Sequence, residues 1–132
     1  MAELTCLVVT PEQTALEQTT DFVALPLFDG EIGISPGHSP MIGRLGFGEL
    51  RINVDNKPQR FYVDGGFVQV ADNVVSVLTN RAVPAAELET DVAQEQLDSA
   101  LQLLAHSPET MENRDRAVGQ ARAQLRMARG GQ

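Results

Sequence analysis

At Pro84 the spacing of apolar residues changes abruptly, and this change constrains the fold more than any other feature of the chain. Before it, apolar residues alternate in short runs at period two. After it, they recur every three or four residues, the repeat of a helix. The spacing therefore predicts a strand-forming domain over residues 1–83 and a helical domain over residues 84–132.

In the first part, Leu4 to Val9 is a β-rich run closed by Thr10-Pro11-Glu12, and Phe22 to Phe28 is apolar on nearly both faces, as strands of a packed sandwich are. Asp29-Gly30 reads as a hairpin turn. Further runs follow at Met41 to Leu45, Glu49 to Val54, Arg60 to Val63, Phe67 to Val70 and Val74 to Leu78, the last two expected to end the strand series. Within Glu49 to Val54, Leu50, Ile52 and Val54 alternate with Glu49, Arg51 and Asn53, so one side of that strand meets water. Turn chemistry separates the runs at Asp55-Asn56-Lys57-Pro58, Asp64-Gly65-Gly66 and Ala71-Asp72-Asn73. Short strands at such intervals, with no βαβ alternation, indicate a β-sandwich or barrel.

In the second part, Leu88, Val92, Leu97, Ala100, Leu101 and Leu104 form an apolar stripe on a helix expected from about Ala85 to Ala105. Ser107 then offers an N-cap with Pro108 at the first helical position, and Met111, Arg114, Val118, Ala121, Leu125 and Ala128 follow at helical spacing. Two helices joined by so few residues form an antiparallel hairpin, with arms of ~30 Å at ~1.5 Å per residue. Its second arm offers mainly alanine, and Gly119 weakens the helix by ~1 kcal/mol relative to alanine. A hairpin so poor in apolar area must lean on something else, either adjustably or as a fixed cap.

Charge is distributed unevenly. Residues 1–83 carry ten acids and five bases, residues 84–112 seven acids and no base, and residues 113–132 one acid and five arginines, within a formal net charge of −8. This balance argues against general nucleic-acid binding. The basic end either lies beside the acidic helix or meets an acidic partner, and charge alone does not separate the two. Cys6 alternates with Leu4 and Val8 and reads as a small core residue, so no disulfide forms within the chain. No run approaches the ~18 apolar residues of a membrane span, and no basic leader precedes one, so a cytoplasmic protein is expected.

A search for catalytic chemistry yields little. Gly30, Gly33 and Gly37 with Pro36 and Pro40 suggest a phosphate cradle, but no Gly-Lys-Ser/Thr and no helix follow. The run instead reads as turn, short strand and rigid elbow ending at His38. His38 and His106 have no metal-spaced partners, and Glu87, Glu89, Asp91, Glu95 and Asp98 fall on the polar side of a helix. The chain reads as a binding or regulatory part of a larger assembly, with a free-standing β-sandwich ligand-binding module bearing a helical cap as the alternative. A stable monomer with a closed pocket would favour the alternative.

The run Gly30-Glu31-Ile32-Gly33-Ile34-Ser35-Pro36-Gly37-His38-Ser39-Pro40, with Leu45, Gly48, Leu50-Arg51-Ile52, Asp64-Gly65-Gly66-Phe67-Val68-Gln69-Val70 and Asn73-Val74-Val75-Ser76-Val77-Leu78, resembles the epsilon subunit of F-type ATP synthases. The similarity extends to Val9-Thr10-Pro11-Glu12 and covers essentially the whole chain. It implies a ten-stranded N-terminal β-sandwich followed by a C-terminal antiparallel two-helix hairpin. It also implies a non-catalytic rotor subunit at the cytoplasmic face of the bacterial inner membrane, peripheral and held there only through the complex.

The resemblance implies these partners: the gamma subunit, the c-ring, and the alpha and beta subunits when the hairpin is extended. By the same resemblance Glu31, Ile32, Gly33, Ile34, Ser35, Pro36, Gly37 and His38 form the ring-facing loop. Arg114, Arg116, Arg122, Arg126 and Arg129 are implied to face an acidic segment of beta when the hairpin opposes ATP hydrolysis. Gly43-Arg44 departs locally from the family pattern after the elbow.

Some family members bind ATP between the folded helices. Their motif [IL]DxxRA falls here on Leu88-Glu89-Thr90-Asp91-Val92-Ala93, with Glu89 in place of Asp and Val92 in place of the arginine. Their RAxxR is kept as Arg122-Ala123-Gln124-Leu125-Arg126. Losing the first arginine removes a planar cationic donor, so weak or no ATP binding is implied, with no cofactor and no metal.

Overall fold

The computed structural model describes residues 3–103 and 107–129. Leu104, Ala105 and His106 lie outside the described residues.

Ten strands form two sheets. One contains β1 (Leu4–Val9), β2 (Thr14–Thr20), β5 (Met41–Arg44), β8 (Phe67–Ala71) and β9 (Val74–Leu78), in the order β2-β1-β9-β8-β5. The other contains β3 (Val23–Leu27), β4 (Gly30–Ile34), β6 (Phe47–Val54), β7 (Lys57–Asp64) and β10 (Ala82–Pro84), in the order β10-β7-β6-β3-β4. All pairings are antiparallel except β1 with β9. The expected sandwich is therefore present, with its core between the sheets. Alternation places Leu4, Cys6 and Val8 of β1 inward with Val68 and Val70, Val75 and Val77, facing Val23, Leu25, Leu50, Ile52 and Val63 of the second sheet.

Two turns have the geometry their residues favour. Asp55-Asn56 between β6 and β7 and Asp72-Asn73 between β8 and β9 all have φ between 51 and 62°. Consecutive positive φ values in a two-residue loop define a type I′ hairpin, which Asp and Asn tolerate because their short polar side chains are at ease in the left-handed region.

Several expectations need correction. β2 was not anticipated, because Thr14–Thr20 has only Leu16 as a large apolar residue. As the outermost strand of its sheet it needs only the backbone ladder it makes with β1, and carries no strong hydrophobic signal. β9 is not the last strand. Ala82–Pro84 forms β10 on β7, and Pro84, expected to open the helical part, pairs with Phe61 at a sheet edge where a missing N–H is tolerated. The turn expected at Asp29-Gly30 lies one residue earlier, since Leu27 pairs with Gly30 and leaves Phe28-Asp29 as the loop.

The chain divides into two compact units, Met1–Pro84 and Ala85–Gln132. In the second, Ala85–Glu87 is a 3-10 turn closed by Leu88 N–H donating to the Ala85 carbonyl, and α1 runs only over Thr90–Leu101. Glu89, at its N-cap, has extended backbone (φ −109°, ψ 128°), so the single helix expected from Ala85 is broken there. With 12 residues, α1 spans roughly 18 Å rather than the expected ~30 Å. α2 spans Pro108–Arg129 and packs along α1. Its start is as expected: Ser107 Oγ accepts from the Thr110 N–H (3.2 Å) while Thr110 Oγ1 accepts from the Ser107 N–H (2.9 Å), a reciprocal cap. The expected stripe is thinner than its spacing suggests. Ala93 and Ala100 are the buried residues of α1, whereas Val92, Leu101 and Met111 are exposed.

Candidate functional site

The glycine- and proline-rich run forms a braced elbow. Ile34, at the end of β4, pairs with Val23 and is fully buried, and Ile32 packs against the same core. These two anchor the segment and leave Glu31, Gly33 and Ser35 exposed. The Phe22 ring covers Gly33 so closely that an added Cβ would stand 2.8 Å from its Cζ. Next, Ser35-Pro36-Gly37-His38 forms a tight turn in which the His38 N–H donates to the Ser35 carbonyl at 3.2 Å. Pro36 at the second position and Gly37 at the third, with φ +84°, are the residues a type II turn requires.

Beyond the turn, the His38 ring turns back to the chain, with Nδ1 donating to the Ser39 carbonyl at 2.8 Å. The structure therefore presents a stiff, half-exposed corner at Ser35–His38 and buries part of the stretch expected to face a partner.

A second surface was not apparent in the sequence. On the outward face of the β1-containing sheet, Phe67 pairs with Leu78 and with Arg44, Leu78 pairs with Val9, and Ile42 lies one step along β5 on the same side. Ile42 is 75% exposed, Phe67 59% and Leu78 53%, with Phe28 beside them at 69%. Large apolar side chains this exposed and this contiguous mark an interaction face. The signal was available as Phe67-x-Gln69 and Val74-x-Ser76-x-Leu78, but period two alone does not say which face is inside.

Arg44 lies at the rim of this face, its guanidinium carbon 4.6 Å from the Phe28 ring centroid, where cation–π attraction holds it. Gly43 points inward, and an added Cβ would meet Leu27 Cδ2 and Met41 Cε at 3.2 Å. The Gly43-Arg44 departure thus falls at the end of β5 away from the elbow.

The five arginines expected to act together do not share one face. Arg122, Arg126 and Arg129 are exposed, and their spacings of four and three align them. Arg114 instead reaches back to the end of α1, its Nη2 donating to the Leu101 carbonyl at 3.5 Å, and its Nη1 lies 3.9 Å from Asp115. Arg116 is exposed but about 120° around the helix from Arg122 at 100° per residue. Of the residues matched to the ATP motifs, Glu89 precedes α1 as its N-cap, and Arg122 and Arg126 are exposed on α2.

The chain thus consists of a two-sheet sandwich, with a turn-braced elbow and an exposed apolar face, and a helical hairpin. Comparison with known proteins gives the class: residues 3–85 match the family described as ATP synthase, Delta/Epsilon chain, beta-sandwich domain. The ATP synthase epsilon chain of Rhodopirellula baltica is 52% identical over 124 residues, covering 94% of this chain and 97% of that one. That of Nitratidesulfovibrio vulgaris is 37% identical over 122 residues, covering 92% and 89%. Among solved structures, the Euglena gracilis mitochondrial ATP synthase contains a chain of the same fold, with TM-score 0.83 at 20% identity, covering 93% of this chain and 79% of that one. The central stalk and c-ring of the Tetrahymena thermophila mitochondrial enzyme contains another, at TM-score 0.75 and 17% identity, covering 95% and 96%. The chain belongs to the family of ATP synthase epsilon chains.

Proposed function

We propose that this chain is a non-catalytic subunit of the central stalk, linking gamma to the c-ring during proton-driven ATP synthesis, with the hairpin acting against ATP hydrolysis. The observation that carries the coupling role is the elbow. A type II turn anchored by buried Ile34 gives the sandwich a stiff corner, and a stiff corner transmits torque where a loose loop would yield. In this reading Ser35 to His38, with Glu31 and Gly33 beside them, face the ring, while the apolar face around Ile42, Phe67 and Leu78 docks on gamma. Among the described residues no helix is long and apolar enough to cross a membrane, and the subunit is held at the cytoplasmic face of the bacterial inner membrane through the complex.

The regulatory role rests on Arg122, Arg126 and Arg129. Single exposed arginine pairs contribute ~0 to 1 kcal/mol each, so a contact with an acidic segment of beta needs the aligned three together. Arg114 and Arg116 lie off that row and contribute less. Because Val92 replaces the arginine of the first motif, calorimetric titration with ATP is expected to show weak or no binding, and micromolar affinity would contradict this.

The test is ATP hydrolysis by the cognate alpha, beta and gamma assembly, with the full chain or a chain ending at Pro84, so that β10 is kept whole. Both are expected to bind, only the full chain to slow turnover, and the triple change Arg122→Ala, Arg126→Ala, Arg129→Ala to relieve it. A Phe67→Asp chain should not associate with gamma. If both lengths bind and neither inhibits, the hairpin is a passive cap. If neither associates, the stalk reading fails.

A further inference from the structure

The elbow connects β4 of one sheet to β5 of the other, and it is held by a residue of the β8–β9 turn. Asn73, in the type I′ turn between β8 and β9, accepts at Oδ1 from the Gly37 N–H at 2.7 Å, across 36 residues of sequence. Its carbonyl accepts from the Thr5 N–H at 2.9 Å, so the same residue also fixes the start of β1. Among the described residues this is the one hydrogen bond joining residues 35–40 to the rest of the fold; the others there close the turn or stay within the segment.

The chemistry is specific on both sides. In a type II turn the N–H of the third residue is not used by the turn's own hydrogen bond, so Gly37 has a donor free for an outside acceptor. The turn between β6 and β7 serves as an internal comparison. Asp55-Asn56 has the same backbone conformation as Asp72-Asn73, yet among the described residues the Asn56 side chain makes no hydrogen bond. Left-handed backbone therefore accounts for an Asn at either turn, but only Asn73 directs its side chain into the elbow. At its β4 end the elbow otherwise rests on the non-directional apolar packing of Ile32 and Ile34, which does not fix the tilt of a projecting corner. A short, directional bond from the elbow to the β8–β9 turn does.

We propose that Asn73 is a positioning residue that sets the angle and stiffness of the Ser35–His38 elbow, and through it the transmission of torque to the c-ring; this second half rests on the function proposed above. Two substitutions separate the side chain's role from the turn's. Asn73→Gly keeps the positive φ and removes the acceptor, and Asn73→Asp keeps both.

In the isolated full chain, Asn73→Gly is expected to speed amide exchange at Gly37 by about fivefold or more, while Asn73→Asp leaves it slow and the thermal midpoints of both stay close to the parent. In the assembled synthase, the ratio of protons pumped to ATP hydrolysed should fall with Asn73→Gly and be restored with Asn73→Asp, with equal amounts of each chain bound to gamma. Unchanged Gly37 exchange in Asn73→Gly overturns the positioning role. Faster exchange with an unchanged pumping ratio overturns its link to torque. A Pro36→Gly, His38→Ala chain tells the two failures apart: if it pumps normally the ring-facing reading has failed, and if it uncouples while Asn73→Gly does not, only the inference about Asn73 has failed.

Discussion

The sandwich and the hairpin bury different kinds of side chain, and their margins of stability differ accordingly. Among the described residues, fourteen apolar side chains form the sandwich core at 2% exposure or less, nearly all Leu, Ile or Val. Each such side chain contributes roughly 1.5–3 kcal/mol on burial, which gives the β unit the larger reserve of stability. The buried residues of α1 are two alanines, and α2 adds Ala121 and Ala123 beside Val118, Leu125 and Met127. Alanine contributes little area, so the helical unit holds its shape by a narrower margin. One chain thus combines a densely packed β platform with a helical unit of smaller packing reserve.

The largest effect is expected at Gly66. Its φ is +106°, and an added Cβ would collide with the Leu78 carbonyl oxygen. Gly66→Ala is expected to destabilise the sandwich by about 4 kcal/mol or more in urea denaturation, the scale of severe backbone and steric conflict. A variant with the parent midpoint would show that the platform is not rigid at this corner.

The next effect is a dependence on pH confined to the sandwich. Burial pushes the Cys6 thiol up from 9.0 to about 12. Below pH 9.0 the thiol is neutral in both folded and unfolded chains and contributes no dependence. Above it the unfolded chain ionises while the folded one keeps its proton, so stability should fall by about 1.4 kcal/mol per pH unit. Urea midpoints at successive alkaline pH values should show this slope in the parent and a shallower one in Cys6→Ala. Equal slopes would mean that solvent reaches Cys6.

The smallest expected effect sharpens the contrast from the hairpin side. Ser107→Ala removes the side-chain half of the cap on α2 and should cost about 1 kcal/mol. Hydrogen exchange should rise over the first turns of α2 and leave the β6–β7 ladder unchanged. Equal loss of protection in both units would show that they unfold as one.

Where a residue's environment is set by its neighbours in sequence, it was readable in advance. Leu50 and Ile52 face inward as their alternation with Glu49, Arg51 and Asn53 indicates, Ser107 caps α2, and Cys6 lies in the core. The elbow was legible because its turn depends on Pro36 and Gly37 themselves. β2 and β10 were not, since a strand at a sheet edge is held by backbone bonds to its one neighbour, β1 or β7, and needs no hydrophobic period. The break before α1 was hidden because Leu88 and Val92 continue the helical spacing across it.

The sequence alone carries the change from strand to helical period, the braced elbow and the family, all of which follow from local backbone preference, side-chain period and motif. Only tertiary structure settles which face of the β1-containing sheet remains open, how the arginines of α2 divide between an exposed row and the end of α1, and that Asn73 of the β8–β9 turn holds Gly37 of the elbow. These depend on strand order and register, which bring together residues far apart in the chain that no local pattern pairs.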